Sequence, residues 1–174
     1  MRVSITGLTL LFILMLLSAC SSNVDYTPDE IVKTEKSVTA IKRIDDYQIR
    51  LKTNLVNEQT AQLLRFQAGL RYVGSESKIE IIHGFDIHRI DLQIDDQSIL
   101  PPSSSESIAI PTLLTKNEWL EENMELSMNE DQFERMIKSD GDIVLYSYYF
   151  EDGRTKVENM TRALSIKMSD IFQK

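Results

Sequence analysis

The sequence is poor in the residues that staple or kink a small protein. It has one cysteine, four prolines and six glycines in 174 residues. A single cysteine cannot close an internal disulfide, so no disulfide framework holds this chain. Basic charge is also scarce: 19 Lys and Arg face 27 Asp and Glu, a net charge of −8. General nucleic-acid binding asks for a strongly basic face and is excluded on that balance. Gly-x-Ser-x-Gly, the P-loop and Gly-x-Gly-x-x-Gly are all missing, which removes the motif-borne forms of hydrolase, nucleotide and dinucleotide chemistry. No internal repeat occurs. The acidic turns Asp45-Asp46, Asp95-Asp96, Asp140-Gly141-Asp142 and Glu151-Asp152-Gly153 lack the spacing of a calcium loop. The apolar content of 42% is nevertheless enough for a packed core in a domain of ordinary size.

What is present begins at the N-terminus. Arg2 precedes an uncharged stretch, Val3 to Ala19, followed by the only cysteine, Cys20. A short positive flank and an apolar run of that length form an export signal and fall short of a comfortable membrane span. The residues Leu17-Ser18-Ala19-Cys20 resemble the lipobox of bacterial lipoproteins. The resemblance covers only the signal and Cys20. It implies a covalent lipid on the Cys20 thiol, cleavage before Cys20 and further acylation of the new amine. Two or three acyl chains anchor durably where one binds marginally, at about 0.8 kcal/mol per buried CH₂. Ser21 in place of Asp resembles sorting to the outer membrane, facing the periplasm, if the envelope is Gram-negative.

These signals divide the chain into a signal peptide over 1–19, a short tether over 20–26 and a single globular domain over 27–174. Six extended residues, Ser21 to Tyr26, span about 20 Å, so the domain stays close to the membrane surface.

Within the domain, Thr27-Pro28-Asp29-Glu30 has the form of a helix start, and Ile31, Val38 and Ile41 extend one face toward Arg43. From Tyr47 the period becomes two. Alternation over Tyr47–Leu55 and again over Leu64–Tyr72 predicts two strands, and Ile79 and Ile81 begin a third. Near Gly84 the parity slips: Ile79, Ile81, Phe85 and Ile87 share one face, Ile90, Leu92 and Ile94 the other, which predicts a bulge or tight turn. Ile99-Leu100 reads as a short return strand. Pro101–Asn117 is expected to be irregular, with at most a short strand at Ser107–Ile110. Met124, Leu126 and Met128 alternate as a strand. Asn129 with Gln132 starts a capped helix that Gly141 ends. Asp142–Phe150 is apolar on both faces and reads as a central strand. Val157, Met160, Leu164, Met168 and Ile171 step as a terminal amphipathic helix, although Leu164, Ile166 and Met168 also fit a strand. The expected fold is α+β, mainly an antiparallel sheet or sandwich of seven or so strands, with two or three packed helices.

The candidate chemistry is sparse. His83, Asp86 and His88 are the weak candidates for a metal site, with Asp91 three residues on. A regular strand points His83 and His88 to opposite faces, so only the bulge could bring them together. Arg50 and Lys52 on one strand and Arg65 and Arg71 on the next form a basic stripe. It can meet an anionic partner or pair across strands with acidic residues such as Glu80 or Asp91. No catalytic residue is assigned and no cofactor is expected beyond the lipid.

The reading that follows is a lipid-anchored cell-envelope protein with a non-enzymatic binding or scaffolding domain, whose partners are the membrane and an envelope protein or polymer. An anchored hydrolase acting on envelope polymers and an assembly or pilot lipoprotein of a larger complex are the alternatives. Metabolic palmitate labelling checks the anchor: Cys20→Ala is expected to abolish the label and release the protein from membranes, and unchanged labelling would refute it.

Overall fold

A computed structural model describes residues 25–55, 63–101, 108–151 and 161–172. Cys20 and the signal lie outside the described residues, as does most of the tether. The described chain is dominated by antiparallel strands, with one α-helix. Ten strands form two sheets. The first contains β1 (Glu30–Lys33), β2 (Ser37–Ile44), β3 (Tyr47–Asn54), β4 (Leu63–Tyr72) and β8 (Trp119–Ser127), in that spatial order. The second runs β10 (Thr161–Lys167), β9 (Asp142–Glu151), β5 (Lys78–Ile94) and β6 (Gln97–Ser98), with β7 (Ile110–Thr115) also on β5.

Alternation explains the first sheet. Tyr47, Ile49, Leu51 and Thr53 of β3 are buried, as are Leu64, Phe66, Ala68, Leu70 and Tyr72 of β4. The register sets Ile49 beside Leu70 and Leu51 beside Ala68, so one face of the pair is apolar throughout. From the second sheet Ile81, Ile90, Leu92, Ile143, Leu145, Leu164 and Ile166 join the same core. Tyr47, between Tyr72 and Tyr149 at ring distances of 5.5 and 4.8 Å, donates its hydroxyl to Glu151 at 3.0 Å.

Two expected helices are strands. Over 30–44, β-branched Ile31, Val32, Val38, Thr39, Ile41 and Ile44 suit a pleated surface better than a helix. Val38, Ala40 and Lys42 face inward and complete the sheet beside β3. Thr27 starts no helix, and the Asp29 carboxylate accepts the Arg43 N–H at 2.6 Å. At the C-terminus β10 lies along β9, with Leu164 beside Leu145 and Ile166 beside Ile143. Those residues fit both periods, and the edge of β9 decides between them. Only a single 3-10 turn, Met168–Ile171, follows. Val157 and Met160 lie outside the described residues. Among the described residues there is therefore one α-helix in place of two or three. In 101–117 the strand sits later than expected, at Ile110–Thr115.

The helix α1 (Glu130–Ser139) begins as its residues dictate. Asn129 Oδ1 accepts the Gln132 N–H at 2.8 Å and Gln132 Oε1 returns the contact to Asn129 N at 3.0 Å. Asp140 ends it in the left-handed region at φ 46°, and the Gly141 N–H reaches the Met136 carbonyl at 2.9 Å. The turns Asp45 (φ 55°) and Asp95-Asp96 (φ 50° and 60°) likewise use aspartate where φ is positive, the second as a two-residue hairpin between β5 and β6.

The chain enters the fold by a buried lysine. Lys42, 8% exposed, donates to the carbonyls of Asp25 (2.5 Å) and Thr27 (2.9 Å), with the Asp25 carboxylate 3.2 Å away. The Tyr26 carbonyl accepts from Ser165 of β10. Asp25 and Tyr26 are thus held by the domain.

Gly141 is packed closely against backbone. A Cβ there would stand 2.6 Å from Met136 Sδ and 2.8 Å from the Gln93 carbonyl, which cannot turn aside. Gly141→Ala is expected to destabilise the domain by about 1–3 kcal/mol in urea unfolding; an unchanged midpoint would contradict this packing.

Candidate functional site

The parity slip near Gly84 is a break in register. His83 pairs with Tyr149 and His88 with Ser147, so Gly84 to Ile87 stand against Tyr148 alone. Ser147 and Tyr149 share the buried face of β9 with Leu145, and the bulge thus brings both histidines to that face. It does not make them ligands of one ion. His83 uses both nitrogens: Nδ1 lies 2.6 Å from the Gly84 carbonyl and Nε2 2.8 Å from Thr112 Oγ1. Among the described residues no three His, Cys, Asp or Glu side chains are placed to hold a metal. Asp91 lies on the opposite face, accepting from Ser98 Oγ, Gln93 Nε2 and the Leu92 N–H.

His88 is 1% exposed and its Nδ1 lies 2.8 Å from Ser147 Oγ, on a serine with no exposure. Its Nε2 is buried with no hydrogen-bond partner. Burial, with His83 close by, pulls its pKa down from 6.5 to about 4, so the ring is neutral at physiological pH.

On one edge β5 meets β7 up to His83 and β6 from Gln93; no strand among the described residues pairs with that edge between them. A side chain from the other sheet fills part of the gap. Glu122 sits opposite Ala68 on the inward face of β8 and accepts the His88 backbone N–H. Burial lifts Glu122 above the usual carboxylate range; the His88 N–H opposes that rise and the nearby Asp86 adds to it. Between β5 and β8 lies a cleft of about 1220 Å³. His88 and Glu122 line it with Phe66, Ile90, Met124 and Leu126. Phe85, at the bulge, is 76% exposed beside its mouth.

Such a site, apolar with few polar groups, has the composition of a ligand pocket. Glu122 and Ser147 were not evident from the residues alone. The available signal was a carboxylate sharing parity with Leu120, Met124 and Leu126.

The basic stripe lies on the outer face of the first sheet, and its partners come from β8. Arg50 pairs with Glu121 and Arg65 with Glu125 at 2.8 Å, while Arg71 bonds Gln48. Arg50 and Arg71 both stack on Trp119, 4.2 and 4.4 Å from its ring centre, in the space left by Gly69. Glu80 and Asp91 belong to the other sheet and cannot serve that role. Lys52 is exposed between Thr39 and Gln67. No helix among the described residues is long and apolar enough to cross a membrane.

No family model matches the chain, and no curated protein and no solved structure is detectably similar to it.

The buried His88 has a signature in pH. Below about 6.5 the unfolded chain takes up a proton that the folded site refuses until about 4, so stability falls as pH drops through that window. Glu122, raised in the fold, acts in the opposite sense and is common to both proteins in a comparison. Between pH 7 and pH 4.5 the wild type is expected to lose roughly 2–3 kcal/mol more than His88→Gln. Equal losses in urea titrations would show that His88 is not held neutral.

Proposed function

We propose that the protein is a lipid-anchored component of a bacterial cell envelope whose domain binds another envelope molecule in the cleft between β5 and β8, without catalysis. The anchor rests on Leu17-Ser18-Ala19-Cys20. The binding role is carried by one observation, the apolar cleft whose lining His88 keeps a buried nitrogen without a partner. Buried polar atoms are almost always satisfied, and an exception beside a cleft points to a missing ligand group. With Asp25 already held, four residues separate Cys20 from the fold, a reach of at most about 17 Å from Cα to Cα. A ligand in or close to the membrane is then within reach. If the envelope is Gram-negative, Ser21 favours the periplasmic face of the outer membrane.

The hydrolase reading finds one supporting contact, Ser147 Oγ to His88 Nδ1. That serine is wholly buried, and no carboxylate orients the other ring nitrogen. The basic stripe remains the surface for an anionic partner only through Lys52, since its arginines are engaged. An assembly role would use β1, where Ile31 and Val32 are 48% and 43% exposed at the sheet's edge.

A photoreactive amino acid at the exposed Ala109, which lines the cleft, is expected to yield light-dependent adducts in intact cells. The same residue at Lys52 serves as the comparison. Absence of adducts at 109, or equal adducts from 52, would overturn binding in the cleft.

A further inference from the structure

We infer that the cleft takes an uncharged long-chain acyl ester, its carbonyl oxygen accepting from His88 Nε2, and turns away the corresponding free acid. This rests on the proposed binding role and names the chemistry of its ligand.

The donor follows from counting hydrogens. Ser147 Oγ and His88 Nδ1 face each other at 2.8 Å, and neither has another hydrogen-bond partner among the described residues. If Nδ1 carried the proton, the serine hydrogen and the Nε2 lone pair would both go unused. If the serine donates to Nδ1, one group alone remains unmet: an Nε2–H donor. A buried donor left unmade costs about 1–3 kcal/mol, which a ligand oxygen recovers. The partner it asks for is an acceptor.

The charge around that donor selects among acceptors. Glu122 projects into the cleft from β8 and Asp86 stands at the bulge. Glu125 is neutralised by Arg65 on the outer face. Arg89 lines the cleft too, but it pairs in register with Tyr146, on the outer face of the second sheet. A carboxylate ligand would meet two like charges and a neutral imidazole; an ester carbonyl meets the donor without that repulsion. The remaining lining, Phe66, Ile90, Met124, Leu126 and the mouth residue Phe85, suits a methylene chain. At about 1220 Å³ the cleft exceeds the usual space for one compact ligand and accommodates an elongated one. His88 Nε2 has no exposure, so a ligand reaches it only when a neighbouring side chain gives way; Met124, unbranched, partly buried and in the same lining, is able to turn aside.

The experiment uses the acylated full-length protein in phospholipid nanodiscs. A diazirine-bearing monoacylglycerol and the matching diazirine fatty acid are added at equal mole fraction, and peptide mass spectrometry locates the adducts. The ester is expected to label β5 and β8 peptides about fivefold to tenfold more than the acid, the range of one like-charge repulsion at a half-buried site. His88→Phe should weaken labelling by the ester, and Glu122→Gln should raise labelling by the acid. Ala109→Trp, at an exposed position of the cleft wall, should suppress labelling in a protein whose melting temperature is unchanged. Equal labelling by acid and ester, or ester labelling indifferent to Ala109→Trp, overturns the ligand class. Persisting adducts from position 109 in cells would then leave the binding role standing, and their absence would remove both.

Discussion

A seventeen-residue strand, β5, crosses the second sheet and has to keep its apolar side chains on one face although their parity changes half-way. That constraint organises the molecule. A strand without a bulge would drive either Ile79 and Ile81 or Ile90, Leu92 and Ile94 into water. Each buried aliphatic side chain contributes roughly 1.5–3 kcal/mol, so the bulge is the smaller cost. Its consequences spread outward. The edge of β5 loses its neighbour between β7 and β6, the sheets part there, and a cleft is left with a histidine in its lining.

The polar groups of the interior show how this opening is tolerated. Glu122 of β8 accepts a backbone N–H that no strand covers. Lys42 closes the opposite side of the sandwich by bonding the carbonyls of the incoming chain. Asp91 ties Ser98 of β6 to β5. Each group, buried or half-buried, has its partners, as low-dielectric surroundings demand. Against that background the Nε2 of His88 stands without a partner. Its place at the cleft gives this a functional meaning.

Several elements could be read from local pattern because the local and tertiary preferences agree. The strands over 47–54 and 63–72 alternate strictly. The helix after Asn129 carries both halves of its cap, and the break near Gly84 shows in the parity of its isoleucines. The errors fell where two periods fit the same residues. Ile31, Val38 and Ile41 satisfy a helical stripe, yet β2 had the free edge of β3 to bond. Leu164 and Ile166 had the edge of β9. The arginines of β3 and β4 were legible as an outward stripe. Their partners were not, because Glu121 lies 71 positions beyond Arg50 and Glu125 60 beyond Arg65.

Composition and local spacing alone settle that the domain is acidic, lacks an internal disulfide and is rich in alternating strands, since these depend on neighbours within a few positions. The lipobox resemblance at Cys20 is equally local, and it stands independently of the fold. Which strand borders which, that β8 returns to the first sheet, and that His88 and Glu122 meet across two sheets are decided only by tertiary packing. Side chains thirty-four positions apart share a site only because both sheets must bury their apolar faces against one core.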